Sequence, residues 1–311
     1  MGKNRIIAVI TPVKHLKDIT DLLESKGQVF YLEKNTKNQT KNLLLSYSVD
    51  TIVCNPNQQS YKIDKELLEN TNVKIINSCS TGLNHIDLDY CKENNIEIQC
   101  HKNDYELINQ LPSTSELAFG LMLSLLRNIP ECNNHVSRYN WDYTQFMGRQ
   151  VKDLKIGIIG YGRLGKMMEK YCKTFDAQVT IYDPYIFPNQ TKKSLENMFV
   201  NCDVISLHVH VTDETKYMIN KKLLGLSKKD LYIINTSRGE IVNENDIVEA
   251  LKNKKLLGYG TDVVEHEFSN LKDSPIIKAM NKGENIIVTP HIGGMTIEGQ
   301  TKAYKWSINK L

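Results

Sequence analysis

Residues 156–183 of the chain read IGIIGYGRLGKMMEKYCKTFDAQVTIYD. An apolar run opens this stretch and predicts a β-strand, after which come the glycine pattern GYGRLG (residues 160–165) and a segment with helical character. A second apolar run ends at Asp183, 18 residues after Gly165, close to the ~20 residues expected of a dinucleotide-binding fingerprint. Strand, glycine turn, helix, strand and acid occur in the order of one βαβ unit, so we predict a nucleotide-binding parallel sheet.

Each residue of the fingerprint has a physical role in this interpretation. Gly160 permits the tight turn after the strand, Gly162 lets the backbone approach a pyrophosphate, and Gly165 lets the helix pack on the strand. The N-terminus of the helix would face the phosphates. Asp183 would accept hydrogen bonds from the adenosine ribose and would repel a 2′-phosphate, which favours NAD over NADP. A glycine-rich surface turn would not explain Asp183.

Length and composition limit the class of protein. A chain of 311 residues is long enough for two domains, and 41% hydrophobic with 24% charged residues is typical of a soluble globular protein. The 39 basic and 36 acidic residues are too balanced to suggest a nucleic-acid partner. The apolar run near the N-terminus is too short for a signal peptide or a membrane span. Seven scattered cysteines without a CxxC motif predict reduced thiols, a cytoplasmic location and no metal site.

Apolar β-type runs alternate with amphipathic segments in both halves of the chain, which predicts parallel α/β sheets. The first hundred residues contain five strand candidates, and six more follow from Ile156 onward. The polar stretch from His101 to Pro112 is expected to cross into a second domain. A long helix is predicted from Ser113 to about Tyr139, with Ser113 and Glu116 forming a capping box.

Polar residues follow three of the later strands at their carboxyl ends, where ligands of parallel sheets bind. Arg238 follows one strand, Asp262 and two glutamates follow the next, and His291 follows the last. An arginine can pair with a substrate carboxylate, and a histidine can take the proton of a hydroxyl that is oxidised. A carboxylate behind the imidazole would fix its tautomer. The set suits hydride transfer to or from a 2-hydroxy acid.

Taken singly, each of these residues could instead have a purely structural role. Arg238 could be a surface or helix-capping charge, and His291 could belong to an ordinary turn. Asp262 could be an N-cap or an ion-pair partner. Either Glu265 or Glu267 could be the acid that orients the histidine.

The order and spacing of several motifs resemble those of the D-isomer-specific 2-hydroxyacid dehydrogenases over nearly the whole chain. The segments that carry the resemblance are STGLNHIDL (80–88), ELAFGLMLSLLRNIP (116–130), IGIIGYGRLG (156–165), NTSRGEIV (235–242), TDVVEHE (261–267) and TPHIGG (289–294). Residues 291–300, HIGGMTIEGQ, are most similar to the phosphoglycerate dehydrogenase-like branch. One departure is Asn84-His85, where family members commonly have Asp-Asn beside the substrate loop.

The resemblance implies an α/β fold of two Rossmann-like domains, each a doubly wound parallel sheet. Residues 1–103 and 291–311 would form a discontinuous, flavodoxin-like substrate domain, and residues 104–290 the NAD-binding domain. The resemblance places the active site in the cleft between the two domains, and it implies a homodimer as the assembly.

The resemblance also implies roles for individual residues. Arg238 matches the substrate arginine, Glu267 the orienting acid and His291 the acid/base. The implied substrate-binding residues are Thr81, Gly82 and Arg238. The implied NAD-binding residues are Thr81, Gly160, Gly162, Arg163, Leu164, Gly165, Asp183, Val209, Thr215, Thr236, Asp262 and Gly294.

The sequence therefore predicts an NAD-dependent oxidoreductase that interconverts a D-2-hydroxy acid and its 2-keto acid, with neither a membrane nor a nucleic-acid partner. Two alternatives stay open. One is an NAD(H)-sensing, corepressor-like binding protein on the same fold, and the other is a formate-type dehydrogenase.

Overall fold

The computed structural model describes residues 5–56, 61–265, 267 and 270–311. The chain divides into two compact units, Met1–Leu111 with Met295–Leu311, and Pro112–Gly294. The units divide after Leu111 and Gly294 rather than after residues 103 and 290. Asp104 stays with the first unit because its carboxylate pairs with Lys310 at 2.5 Å. Residues 292 and 293 stay with the second because their N–H groups bond to Asp262.

Strands and helices alternate along the described chain. The strands are β1 (Arg5–Val9), β2 (Gly27–Tyr31), β3 (Thr51–Cys54), β4 (Ile75–Ser78), β5 (Glu97–Gln99), β6 (Lys155–Ile159), β7 (Gln178–Tyr182), β8 (Val204–Leu207), β9 (Leu231–Asn235), β10 (Leu256–Thr261) and β11 (Ile286–Val288). The helices are α1 (Lys17–Glu24), α2 (Lys37–Ser46), α3 (Lys65–Leu68), α4 (Leu88–Glu93), α5 (Tyr105–Ile108), α6 (Ser113–Leu126), α7 (Ile129–Ser137), α8 (Arg163–Thr174), α9 (Lys192–Asn201), α10 (Lys221–Leu226), α11 (Glu244–Lys252), α12 (Pro275–Met280) and α13 (Ile297–Ile308).

The first unit is built on a five-stranded parallel sheet with the order β2-β1-β3-β4-β5. This is the flavodoxin-like order, as predicted. All four residues of β3 and of β4 are buried, since helices cover both faces of a parallel sheet. The fold class of the first unit is therefore confirmed.

The second unit is built on a six-stranded parallel sheet with the order β11-β10-β9-β8-β6-β7. The last residues of neighbouring strands are paired: Ile159 with Leu207, Leu207 with Asn235, and Asn235 with Thr261. Because the strands end level with one another, the residues that follow them lie along one edge of the sheet. This is the edge on which the sequence predicted the functional residues.

The long helix predicted from Ser113 to Tyr139 is wrong, because the chain breaks between α6 and α7. Asn128 has a left-handed backbone (φ 51°), which ends α6, and Pro130 lies in the first turn of α7. The predicted capping box is also wrong, since Pro112 rather than Ser113 occupies the N-cap position of α6. A short helix, α5, lies within the stretch predicted to be irregular.

Two features of the described chain concern its cysteines and its helices. All seven cysteines are free, and five of them are buried. None of the helices in the described ranges is long and apolar enough to cross a membrane.

Candidate active site

The glycine turn after β6 is packed tightly on two sides and open on a third. A Cβ atom on Gly160 (φ 90°) would lie 2.4 Å from the carbonyl oxygen of His208, and one on Gly165 would lie 2.1 Å from that of Gly160. A Cβ atom on Gly162 would meet no described atom within 4 Å. Gly162 is also the N-cap of α8. The turn thus fits a pyrophosphate that approaches the backbone at Gly162 and faces the positive end of the helix dipole.

Asp183, which follows β7, is hydrogen-bonded to this turn. One carboxylate oxygen accepts from the backbone N–H of Tyr161 at 2.8 Å. The other accepts from the N–H groups of Tyr185 at 3.0 Å and Ile186 at 3.2 Å. A carboxylate has about four lone-pair sites, so acceptor capacity remains for a ribose hydroxyl. Asp183 therefore shapes the turn as well as offering the charge predicted to select NAD.

The remaining predicted NAD-binding residues of this unit lie at or near the same edge. Val209 follows β8 and lies beside the glycine turn, 2.8 Å from the Cβ position of Gly160. Leu164 is in the first turn of α8, where burial also lowers the pKa of the neighbouring Arg163 guanidinium. Thr215 lies in a turn and donates to the carbonyl of His210 at 2.6 Å.

Thr236 directly follows β9 and is buried. Its hydroxyl oxygen has no hydrogen-bond partner among the described residues. Because a buried hydroxyl without a partner is costly, this atom suits a bound ligand with polar groups. The glycine turn and Thr236 together fit the dinucleotide that the sequence predicts.

His291 and Glu267 form the most specific arrangement at this edge. Nδ1 of His291 lies 2.9 Å from Oε1 and 3.0 Å from Oε2 of Glu267. Both side chains are mostly buried, with exposed fractions of 23% and 17%. A neutral imidazole that donates from Nδ1 has its acceptor lone pair on Nε2. The pair therefore has the arrangement of an acid/base whose orientation and tautomer are set by a carboxylate.

Residue types and spacing alone left the choice between Glu265 and Glu267 open, and the resemblance implied Glu267, which is the acid that contacts His291 in the structure. Glu265 points to Tyr217 instead, whose hydroxyl donates to the Glu265 carboxylate. That hydrogen bond, together with burial, raises the pKa of Tyr217 to about 12. Glu267 is thus the carboxylate that meets His291.

Asp262 fixes the backbone of the His291 loop. Its carboxylate accepts from the Thr289 hydroxyl at 2.5 Å, from Ile292 N–H at 2.8 Å and from Gly293 N–H at 2.7 Å. Burial raises the pKa of this carboxyl, and the three donors offset only part of that effect. The nicotinamide contact implied by the resemblance stays a prediction, as does the role of Gly294, which ends this unit.

Arg238 follows β9 and is partly buried. Its Nη1 donates to the carbonyl of Ser237 at 2.7 Å. A Cβ atom on the next residue, Gly239, would lie 2.1 Å from the carbonyl carbon of Val264. The arginine segment is therefore in direct backbone contact with the segment that leads to Glu267.

Thr81 and Gly82 lie in the other unit, in the loop that follows β4. Ser80 closes this loop by donating from its hydroxyl to the Gly82 carbonyl at 2.8 Å. Their predicted binding roles rest on the resemblance and stay predictions.

Sequence reasoning missed Glu244, a buried acid at the first position of α11. Its carboxylate accepts from the backbone N–H of Glu265 at 2.8 Å and from the Ser274 hydroxyl at 3.1 Å. In the sequence it resembles an ordinary acidic residue in the first turn of a helix, so no local signal marks it.

Comparison with protein families gives two matches. Residues 7–107 match the catalytic domain of the D-isomer specific 2-hydroxyacid dehydrogenases, and residues 119–293 match the NAD binding domain of the same family. The second match contains the glycine turn, Asp183, Arg238, Glu267 and His291. It confirms NAD as the cofactor inferred from the fingerprint.

Individual relatives agree with the family match. The chain is 31% identical to D-3-phosphoglycerate dehydrogenase of Methanocaldococcus jannaschii over 296 residues, covering 92% of this chain and 53% of the relative. It is 33% identical to glyoxylate reductase of Thermococcus litoralis over 254 residues, covering 77% and 73%. The D-lactate dehydrogenase of Aquifex aeolicus, solved with NAD and lactic acid, superposes with a TM-score of 0.77 at 25% identity, covering 98% and 94%.

The chain spans about half the length of the phosphoglycerate dehydrogenases that it matches. Both of its units are nevertheless covered by family matches, and the predicted two-sheet α/β fold is confirmed. The chain belongs to the D-isomer specific 2-hydroxyacid dehydrogenase family.

Proposed function

We propose that the protein is an NAD-dependent D-2-hydroxyacid dehydrogenase that interconverts a D-2-hydroxy acid and its 2-keto acid. The observation that carries the proposal is the His291–Glu267 pair, with Nδ1 2.9 Å from a carboxylate oxygen, at the edge of an NAD-binding sheet. Arg238 at the same edge supplies the cation that a 2-hydroxy acid needs for its carboxylate.

The roles of the side chains follow from their chemistry. Bound NAD would supply the hydride acceptor for C2 of the hydroxy acid, and bound NADH would supply the hydride donor in the reverse direction. Arg238 holds the substrate carboxylate and thereby orients C2. As the C2 hydroxyl becomes a carbonyl, its proton passes to Nε2 of His291, and the imidazolium is stabilised by Glu267. In keto-acid reduction the imidazolium gives this proton to the carbonyl oxygen.

We further propose a small 2-keto acid without a phosphate as the substrate. The sequence after β3, NPNQQS (residues 55–60), contains neither lysine nor arginine, although it follows a strand end where a ligand would bind. A phosphorylated substrate would need such a cation. Residues 57–60 of this segment lie outside the described part of the chain.

NADH oxidation measured at 340 nm with a panel of 2-keto acids tests the function. We expect the enzyme to reduce glyoxylate, pyruvate and longer 2-keto acids whose side chains are uncharged. Phosphohydroxypyruvate should be reduced poorly. Tight NAD(H) binding without turnover of any acid would instead favour the sensing, corepressor-like alternative. Formate oxidation without keto-acid reduction would favour the formate-type alternative, in which no hydroxyl proton needs His291.

We propose a homodimer formed through the second unit. Four large side chains between α7 and β6 are strongly exposed: Tyr139 at 100%, Trp141 at 88%, Tyr143 at 85% and Met147 at 91%. The adjacent helix α7 has no buried residue. An apolar surface of this kind favours burial against a second copy, in an interface that both copies share. Light scattering tests it, and W141A is expected to weaken the dimer.

We place the protein in the cytoplasm. The support is the set of seven free cysteines, which a reducing compartment would preserve. Fluorescence microscopy of the tagged full-length protein tests this location.

A further inference from the structure

Glu244 is a buried acid that the proposed chemistry does not use. Only 4% of its surface is exposed, and its two carboxylate oxygens accept from Glu265 N–H at 2.8 Å and from the Ser274 hydroxyl at 3.1 Å. Both of these donors are neutral. Because a buried carboxylate loses its hydration, burial of Glu244 costs free energy, and the contacts that it holds in place offset this cost.

The two donors stand at the ends of the segment that carries Glu267, which we call the Glu267 segment (residues 265–274). The structure describes this segment apart from residues 266, 268 and 269. Ser274 is fixed on its far side, because it is the N-cap of α12 and its hydroxyl accepts from Ile277 N–H at 3.4 Å. One carboxylate in the first turn of α11 thus accepts hydrogen bonds from both Glu265 and Ser274, and Glu267 lies two residues after Glu265.

Glu265 makes two further contacts, one through its side chain and one through its backbone. The Tyr217 hydroxyl donates to the Glu265 carboxylate. Gly239 lies so close that a Cβ atom there would be 2.2 Å from the Glu265 nitrogen. Glu265 is therefore held by contacts with Glu244, Tyr217 and Gly239, two positions before Glu267 in the sequence.

We propose that Glu244 is a positioning residue for the proposed dehydrogenase reaction. Its carboxylate accepts from the Glu265 N–H and thereby sets the position of the Glu267 carboxylate relative to Nδ1 of His291. The inference rests on the proposed function, since it assigns a role in the proton transfer by His291. Glu244 itself needs no contact with the substrate or with NAD.

Replacing Glu244 with Gln tests the role at nearly constant size. The amide keeps one acceptor oxygen and presents an NH₂ group either to the Glu265 N–H or to the Ser274 hydroxyl, so at least one of these two hydrogen bonds is lost. We expect kcat for keto-acid reduction to fall by about tenfold, and the alkaline limb of the kcat/KM profile to move down by roughly half to one pH unit. The direction follows because a less well-placed Glu267 stabilises the His291 imidazolium less. Affinity for NADH, measured by fluorescence titration, is expected to stay unchanged.

Glu249→Gln is the matched control on the same helix. Glu249 is exposed and pairs with Lys221 at 3.0 Å, so its replacement is expected to leave the pH profile unchanged. If E244Q does not fold, Ser274→Ala removes one donor and keeps the charge. The S274A profile is then expected to shift in the same direction by a smaller amount, and an unshifted profile would overturn the proposal.

A double-mutant cycle with Glu267→Gln separates positioning from general stabilisation. In the E267Q background, E244Q is expected to cause no further shift of the profile, because the charge through which Glu244 acts is absent. An equal shift in both backgrounds, or a lower Tm with an unchanged profile in E244Q, would overturn the positioning role. Absence of keto-acid reduction by the wild-type enzyme would overturn the proposed function and this role with it. An active wild type with an unaltered E244Q profile would overturn the positioning role alone.

Discussion

The imidazole of His291 and the carboxylate of Glu267 are bonded across 24 residues of sequence, with Nδ1 2.9 Å from Oε1. The two residues follow different strands, β10 and β11, which pair in parallel through Thr261 and Val288. The sheet brings the two loops together, and Asp262 secures the second loop through the N–H groups of Ile292 and Gly293. The His291–Glu267 pair, which we propose as the proton-transfer pair, is therefore assembled by the register of the sheet rather than by local sequence.

Replacement of His291 by Gln should lower kcat by roughly 10²–10⁴-fold in both directions, because the group that exchanges the C2 hydroxyl proton is removed. NADH affinity should change little, since the glycine turn and Asp183 are untouched. Steady-state kinetics and NADH fluorescence titration measure the two effects. H291Q activity within a few-fold of the wild type would refute the assignment.

Replacement of Arg238 by Lys should raise KM for the keto acid by about tenfold or more and affect NADH affinity little. Lysine keeps the charge but loses the planar fork that binds a carboxylate through two hydrogen bonds. Kinetics of the variant and of the wild type at varied keto acid and saturating NADH test this. An unchanged KM would remove Arg238 from the substrate site.

Replacement of Asp183 by Ser should reduce the preference for NADH over NADPH by at least about tenfold, equivalent to about 1.4 kcal/mol. The carboxylate that would repel a 2′-phosphate is absent in this variant. Because Asp183 also accepts from three backbone N–H groups, a lower Tm is expected as well. The ratio of kcat/KM for the two cofactors is the measurement, with Asp230→Ser, at an exposed position before β9, as control. A lower Tm with an unaltered ratio would mean that Asp183 is structural only.

Asp203 lies before β8, at the edge of the sheet opposite the candidate site. We expect it to stabilise the fold in a way that depends on pH. Its carboxylate accepts from Lys155 N–H at 2.8 Å and pairs with Lys228 at 2.8 Å and Arg149 at 3.1 Å. Burial alone would raise the pKa of this carboxyl, but these partners outweigh burial and hold the pKa below its usual range. A carboxyl with a lowered pKa stabilises the fold above the unfolded pKa of about 3.9, and this contribution is lost as the pH falls through the folded value.

We therefore expect Asp203→Asn to lower the free energy of unfolding at pH 7 by about 2 kcal/mol. The difference in free energy of unfolding between this variant and the wild type should become smaller as the pH falls below about 4, because the Asp203 carboxyl of the wild type then becomes protonated. Thermal or urea unfolding at several pH values measures it, with exposed Asp153→Asn as control. A difference that stays constant down to pH 3 would contradict the account.

The sheets and the candidate edge could be predicted because buried parallel strands are continuous apolar runs with polar residues after them. Residues such as Arg238 and His291 stand directly at these ends, so their place follows from strand order. The break between α6 and α7 was harder to predict, because nothing in the sequence shows that Asn128 has a left-handed backbone. Pro130 was the available signal.

The choice of Glu267 over Glu265 could not come from residue types or spacing. It depends on Tyr217, Gly239 and Glu244, which are distant in sequence and meet at Glu265 only in the folded chain. The family resemblance indicated Glu267, and the geometry gives the physical reason. Glu244 had no signal at all, since burial of a helix-start acid is a tertiary property.

The most direct test of the central claim is the reduction of a 2-keto acid with an uncharged side chain. The NADH used carries deuterium at C4 of the nicotinamide, on the face from which the enzyme transfers hydride. Chiral chromatography and mass spectrometry of the product report both the configuration and the label at C2. The account predicts a single D-2-hydroxy acid with deuterium at C2. In the H291Q variant, the rate at which this product forms should be roughly 10²–10⁴-fold lower than in the wild type. An L or racemic product, a C2 without label, or no product from any acid of the panel would contradict it.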